Sequence, residues 1–490
     1  MPDQPTTRRW WQLAQPLVAS ALSFACVAVL AVNLDVFGLE PLKDTRLQDT
    51  LVRAFGWLYQ HRETMVQPRE PVVVLIDDRT LMETRTAWPV PYGFHAKMLR
   101  TMLRAKPRPK AVFFDLMFPD RREDDTLADL VGTLRRYRRL GIKVYFACGT
   151  TSACDALRPA LQLENGEAPD GDATKRHGRL AIGVPVPKAV EGDGLTRQYP
   201  LFTDEATPVE TAALRLYLDE VRESSSKTIV ERDDPYTFPL EIMWGFDPHP
   251  QQAILYPPAC VPPSPLATAI GTLFGEGVEQ PCPYTLSVRA EDVASQWSAQ
   301  HRAVPAGPQR GALKDALDAQ YRNVLAAVGG RVVFYGADLQ GSGDHVRTPP
   351  RGQVPGVFMH AMAFDNLVRW PANYVRRQTI FDYGFTNGPR VRLSRADFVA
   401  LALAALGYAS ARRQQRTGWR ARLSAVARLL IPIVSGLVLF EYFGDAPLHV
   451  APLMMIGVAG EFRDLRTDVV ELLRFASKKL RRPKLEESRL

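Results

Sequence analysis

Two short, uniformly apolar runs, each closed by an acid, constrain the fold of this chain more than any other feature. Val72 to Ile76 ends on Asp77 and Asp78, and Ala111 to Phe114 ends on Asp115. Four or five β-branched and aromatic residues are too few for a helix, and their lack of alternation means that both faces are covered. Between them, after the punctuation Trp88-Pro89-Val90-Pro91, residues 95–103 place Ala96, Leu99, Met102 and Leu103 at helical spacing. Buried strand, helix, buried strand is the pattern of a right-handed βαβ crossover. The expectation is an α/β domain with a central, mainly parallel sheet.

The same grammar continues downstream. Residues 142–147, 179–186 and 197–202 read as strands, the last after a Gly192-Asp193-Gly194 turn. Residues 208–221 read as a helix with Ala212, Ala213, Leu216 and Tyr217 inward. Residues 223–308 are rich in Pro, Ser and charge and are expected to be an irregular excursion, partly ordered by Trp244 and its neighbours. Helix, buried strand and helix then return at 313–327, 332–335 and 357–370.

The formal charge of +8 is unevenly spread. Residues 1–12 contribute about +1, Arg412 to Arg422 about +5 and the tail from Glu461 about +3, leaving the large middle region near −1. A nucleic-acid surface needs clustered Lys and Arg on the folded domain, so the net balance argues against one. Apolar residues are uneven too. After the cytoplasmic residues 1–12, residues 13–33 are long enough to cross a bilayer, and Arg8 and Arg9 before them favour an uncleaved anchor with export of the chain beyond it. Three further segments, 396–411, 424–443 and 446–460, read as spans. Residues 412–423 and 461–490 then fall on the cytoplasmic side, and every Arg-rich connector obeys the positive-inside rule. Residues 42–62 form an amphipathic pattern linking the first span to the domain.

The motifs also fall in a distinctive order: strand with Ile76-Asp77-Asp78, Trp88-Pro89-x-Pro91, His95-Ala96-Lys97, strand with Phe114-Asp115, then Asp124-Asp125-x-Leu127-Ala128. The order resumes with residues 331–339, Gly343-Asp344, Thr348-Pro349, Val354-Pro355-Gly356-Val357, His360-Ala361 and Asp365-Asn366. Over residues 41–395 the chain resembles the CHASE type 2 family of extracytoplasmic sensory domains attached to bacterial cyclases and histidine kinases. The resemblance implies one anchor before the domain and three spans after it, which agrees with the hydropathy. The family usually carries a basic residue after the second proline, where this chain has Tyr92. Members often continue into a catalytic output domain, whereas residues 461–490 read as a basic amphipathic tail.

Candidate chemistry gathers at the carboxyl ends of the strands, where open α/β sheets collect ligands. Asp77, Asp78 and Asp115, joined by Asp338, Asp344 and Trp88, form the candidate ligand face. The plainer reading is that such acids cap helices or brace loops against Arg79 or Arg347. His95, His345 and His360 titrate in the right range for acid sensing, or are hydrogen-bonded structural residues. Cys148, Cys154, Cys260 and Cys282 lie in the exported region as two sequence-local pairs, permitting disulfides 148–154 and 260–282, against the alternative of buried thiols. There is no zinc-ligand spacing, phosphate loop or nucleophile elbow, so neither a metal, a cofactor nor catalysis is expected. The function expected is that of a multi-pass inner-membrane sensor, possible as a homodimer, with a periplasmic domain that recognises a ligand or partner. Its signal would go to a separate cytoplasmic output protein. A non-catalytic assembly subunit of an envelope complex and a metal-dependent periplasmic hydrolase are the rival readings.

Overall fold

The computed structural model describes residues 59, 61, 70–118, 124–148, 154, 157–161, 180–187, 195–203, 208–222, 239–245, 247–256, 283–299, 310–341, 344–348, 352–371, 379–384 and 390–394. The four candidate spans, the basic loop 412–423, the tail, Cys260 and Cys282 lie outside these residues, as does 42–62 apart from Tyr59 and His61. Among the described residues no helix is long and apolar enough to cross a membrane.

The chain divides into two compact units, residues 49–376 and the two ends together. The first unit is built on a six-stranded sheet, parallel throughout. Its strands are β1 (Val72–Asp77), β2 (Ala111–Phe114), β3 (Lys143–Ala147), β4 (Ile182–Val184), β7 (Leu286–Arg289) and β8 (Val332–Asp338). Across the sheet they run β4-β3-β2-β8-β1-β7. β8 is thus inserted between the two strands that the sequence joins first. The sheet is continuous there: Val72 pairs Val333 on one side of β8 and Ala111 pairs Val332 on the other.

The absence of alternation in the central strands has the expected cause, because helices cover both faces. Val74, Ile76, Val112, Phe114, Phe146 and Tyr335 point into a core shared with α2 (Tyr92–Met102), α3 (Leu127–Arg139) and α6 (Ala290–Ala299). Phe113 and Phe334 point the other way, against α8 (Val357–Arg369), which also packs on α4 (Ala212–Tyr217). Each fully buried aromatic or branched side chain stabilises the fold by roughly 1.5–3 kcal/mol. Gly336 is the point of closest approach between β8 and α8: a Cβ there would lie 2.7 Å from Val357 Cβ.

Three expectations need correction. Residues 223–308 are not wholly irregular: a short α5 (Gln252–Leu255) precedes β7, which adds the sixth strand beside β1, and α6 follows it directly. The four residues of β7 alternate between buried and half-buried, as an edge strand does, so no apolar run betrays it. The strand expected at 197–202 reduces to β5 (Gln198–Tyr199), paired antiparallel with β6 (Leu240–Glu241) outside the main sheet. The helix at 208–221 passes into a π-helical turn at Leu218–Arg222. In addition, α1 (Asp78–Thr84) fills the start of the β1–α2 connection, and α7 (Arg310–Val328) leads into β8. A hairpin of β9 (His345–Thr348) and β10 (Gly352–Pro355) leads into α8. In the second unit, β11 (Thr379–Gly384) and β12 (Arg390–Ser394) form an antiparallel pair.

Candidate functional site

The parallel sheet sorts polar chemistry by its two ends. At the carboxyl end, Asp77 and Asp338 are register partners on β1 and β8, and Asp115 leaves β2 with its amide donating to the Tyr335 carbonyl at 2.8 Å. These acids have different employments. Asp77 Oδ1 accepts from the Thr80 amide at 2.7 Å and the Thr80 hydroxyl at 2.6 Å, the N-cap of α1. Asp78 accepts from the Gln340 amide at 3.1 Å and so braces the loop after β8. Arg79, expected as a partner for the strand-end acids, instead meets Glu291 at 3.0 Å. Asp338 faces His345 Nε2 at 3.1 Å. Trp88 lies in the α1–α2 connection, 43% exposed. Asp77 thus caps α1, and Asp78 braces the loop after β8.

Asp115 is different. Its side chain is nearly buried, 3.6 Å from His360 Nε2 of α8. Burial pushes its carboxyl up to about 7. His360 is buried as well, and burial lowers it to about 4. The hydrogen bonds around the imidazole set its tautomer. The Ala213 amide donates to the Tyr199 hydroxyl at 3.2 Å, and that hydroxyl lies 2.8 Å from His360 Nδ1. Tyr199 therefore gives its proton to Nδ1 and leaves Nε2 as the N–H that faces Asp115. Asp344, ahead of β9, completes the group. Its carboxyl is raised to about 6, first by burial and then by the charge of Asp115. Gly356 makes room for it: a Cβ at that position would lie 2.7 Å from Asp344 Oδ1. Two carboxyls that exchange protons near neutral pH, beside a neutral imidazole N–H, suit a cationic or N–H-bearing ligand better than an anion.

A second group gathers at the opposite end of the sheet, and nothing in the sequence pointed to it. His61 Nε2 donates to the Asp247 carbonyl at 2.9 Å, and its Nδ1 lies 2.6 Å from Glu70 Oε2. Two acceptors do not approach so closely, so His61 holds a second proton. The Glu70 contact overcomes the effect of burial and raises its pKa. His249 Nε2 lies 3.9 Å from the same carboxylate oxygen. The three ligand atoms are within 4.8 Å of one another, close enough for a divalent cation. The Gln251 amide, however, donates to His249 Nδ1 at 3.1 Å, which keeps Nε2 protonated. The group is an ion-paired clasp. Arg331, at the entry to β8, donates to the Glu70 carbonyl at 3.2 Å and ties the clasp to the sheet.

Beside it, the Tyr59 hydroxyl donates to Asp365 Oδ2 at 2.5 Å, and Asn366 Nδ2 donates back to that hydroxyl at 3.0 Å. Asn366 also binds the Met243 backbone in both directions, at 2.8 and 3.1 Å. Arg369 lies over the Tyr59 ring at 4.5 Å, and Trp370 meets that ring edge-on at 5.5 Å. Asp365, Asn366 and Arg369 belong to the last turns of α8, the helix that carries His360.

His95 is a core residue, 3.1 Å from the Tyr335 hydroxyl and ringed by Phe94, Phe114 and Phe118. Cys148 and Cys154 form a disulfide that closes the segment leaving β3.

The domain is thus an all-parallel α/β sheet with a buried acid–imidazole group at its carboxyl end and, at the other, Tyr59 held against the last turns of α8. Its family is then given directly by comparison. A family model described as CHASE2 domain matches residues 24–408, and the chain belongs to that family of extracytoplasmic sensory domains. No curated protein and no solved structure matched the chain.

Proposed function

We propose that the protein is a membrane-tethered sensor in which α8 couples a ligand site to the point where the chain enters and leaves the domain. The observation that carries this reading is that one helix holds both ends of the coupling. His360, in its first turns, faces Asp115 and Tyr199, and Asp365, Asn366 and Arg369, about one and a half to two and a half turns on, hold Tyr59. At 1.5 Å per residue, only about 8 Å of rigid helix separates His360 from Asp365. A ligand that takes the Asp115 carboxylate would bind the two settings of that helix unequally and shift their populations.

The four hydropathic segments support a domain held outside the inner membrane, with the signal passed to an output protein on the cytoplasmic side. The ligand is cationic or rich in N–H donors.

The test is amide exchange of the full chain in nanodiscs, comparing wild type with Asp115→Asn and His360→Gln. Coupling requires that either substitution alter exchange around Tyr59 and at residues 365–371. Changes confined to residues 113–118 and 357–361 would sink the relay and favour a docking module.

A further inference from the structure

The middle of the chain has almost no net charge, yet its folded form is strongly polarised. Residues 99–112 contain Arg100, Arg104, Lys106, Arg108 and Lys110 and no acid; residues 130–146 contain Arg135, Arg136, Arg138, Arg139 and Lys143 and no acid. All of these except Lys143 are exposed. The topology puts both stretches at one edge. The first runs from the end of α2 into β2, the second from the end of α3 into β3, and β2 and β3 are parallel neighbours. Arg104, Lys106 and Arg108 line an open cleft of about 480 Å³ with Leu103, Leu140 and Ile142. Among the described residues none of the nine exposed cations forms an ion pair with an acid.

Cations in the last turn of α3 complement its C-terminal carbonyls, which accounts for two or three of them. It does not account for the loop entering β2.

The same edge receives and releases the chain. Arg108 and Lys110 exchange backbone hydrogen bonds with Gly330 and Arg331, and Arg331 reaches the Glu70 carbonyl. From there the clasp leads to Tyr59, which touches Trp370. Residues 1–58, with the first candidate span, precede this point, and the other three spans follow it. Of the acids at this end, Glu70 and Asp365 are buried and held by His61 and Tyr59, Asp219 and Glu220 meet Lys143 at the entry to β3, and Asp247 is exposed beside the clasp. Asp115, Asp338 and Asp344 lie at the far end.

We propose that this basic entry edge docks on anionic phospholipid headgroups of the membrane to which the chain is tethered. Phosphates would enter the Arg104–Lys106–Arg108 cleft while the acidic ligand face points away. The proposal rests on the tethered reading above. Each Lys or Arg held near an anionic surface strengthens association by about fivefold, and the effect is screened by salt.

The probe is the full chain in nanodiscs of phosphatidylcholine alone and of phosphatidylcholine with three-tenths phosphatidylglycerol, read by amide exchange at residues 100–110 and 131–143. Docking predicts exchange slowed about tenfold or more only in the anionic discs. The slowing should vanish in 0.5 M salt and in the combined variant Arg104→Gln, Lys106→Gln, Arg108→Gln, Arg138→Gln, with exchange of the central strands unchanged. Equal exchange in the two lipids overturns the proposal. So does protection that needs added glycerol phosphate or heparin in neutral discs, which would assign the cleft to a soluble anion or an anionic polymer. A chain that does not incorporate into discs refutes the tether instead, and sedimentation of that chain with phosphatidylglycerol vesicles still decides the docking surface.

Discussion

The sharpest consequence of the site geometry is a stability profile that changes slope when either partner of the Asp115–His360 pair is removed. Asp115 is raised from an ordinary carboxylate value to about 7. The folded state therefore holds a proton that the unfolded state releases, and stability falls as pH climbs from about 4 to about 7. Three pKa units correspond to about 4 kcal/mol. His360 is lowered from 6.5 to about 4. The unfolded state takes up a proton that the folded state refuses, so stability rises over nearly the same window, by about 3 kcal/mol. In the wild type the two slopes almost cancel. Asp115→Asn removes the falling limb, so stability relative to wild type should grow with pH and reach about 4 kcal/mol by pH 7. His360→Gln removes the rising limb and should relatively stabilise the protein below pH 5. Urea unfolding of the detergent-solubilised full chain between pH 4 and 8 measures both differences. If Asp115→Asn is instead less stable than wild type at pH 7, the pair is an imidazolium–carboxylate bridge, and the neutral N–H reading of His360 is wrong.

Other perturbations test the rest of the arrangement. Tyr59→Phe leaves Asp365 without its hydroxyl donor and should cost about 1–3 kcal/mol of stability, with faster amide exchange at residues 365–371; no change there would deny the clasp its role. Gly336→Ala forces Val357 away from β8 and should cost about 1–3 kcal/mol in the same urea assay, whereas Gly341→Ala, where a Cβ meets nothing but φ is positive, reports the backbone effect alone. Replacing Cys148 and Cys154 by Ser opens a short loop and should cost about 2 kcal/mol, and thiol labelling before and after reduction should release both cysteines together. Raising pH removes the second proton of His61 and with it the Glu70 contact; since its folded pKa is raised, that stabilisation is present in full below about 6.5 and is lost as pH climbs through the higher folded value. His61→Gln should abolish this alkaline loss, and an unchanged profile would mean that His61 is neutral in the fold.

How much of this was legible depends on the distance over which each feature is written. The central strands were visible because two covered faces demand unbroken apolar runs, and Asp115 because it closes one of them. β7 escaped because an edge strand needs only Leu286 and Val288 inward. The acids of the candidate face have different surroundings for a physical reason. Asp77 and Asp115 end their strands in the same way, but Asp77 is followed by a helix whose amides it caps, whereas Asp115 is followed by Leu116 and Met117 and meets an imidazole from α8. That partner is remote in sequence, as is the Tyr199 hydroxyl that sets its tautomer. Likewise His61, Glu70 and His249 are isolated polar residues in irregular backbone, and only the fold reveals that they share one carboxylate oxygen. The basic edge was hidden by averaging. Summed over the domain, its cations are offset by acids placed elsewhere in the chain. A βαβ repeat makes this separation systematic, because every strand enters at one edge and leaves at the other. Charges written at strand entries and at strand exits are therefore carried to opposite ends of the sheet, however closely they alternate in the sequence. The net charge of such a domain says little about the surface it presents to a membrane, and the position of each cation relative to its strand says a great deal.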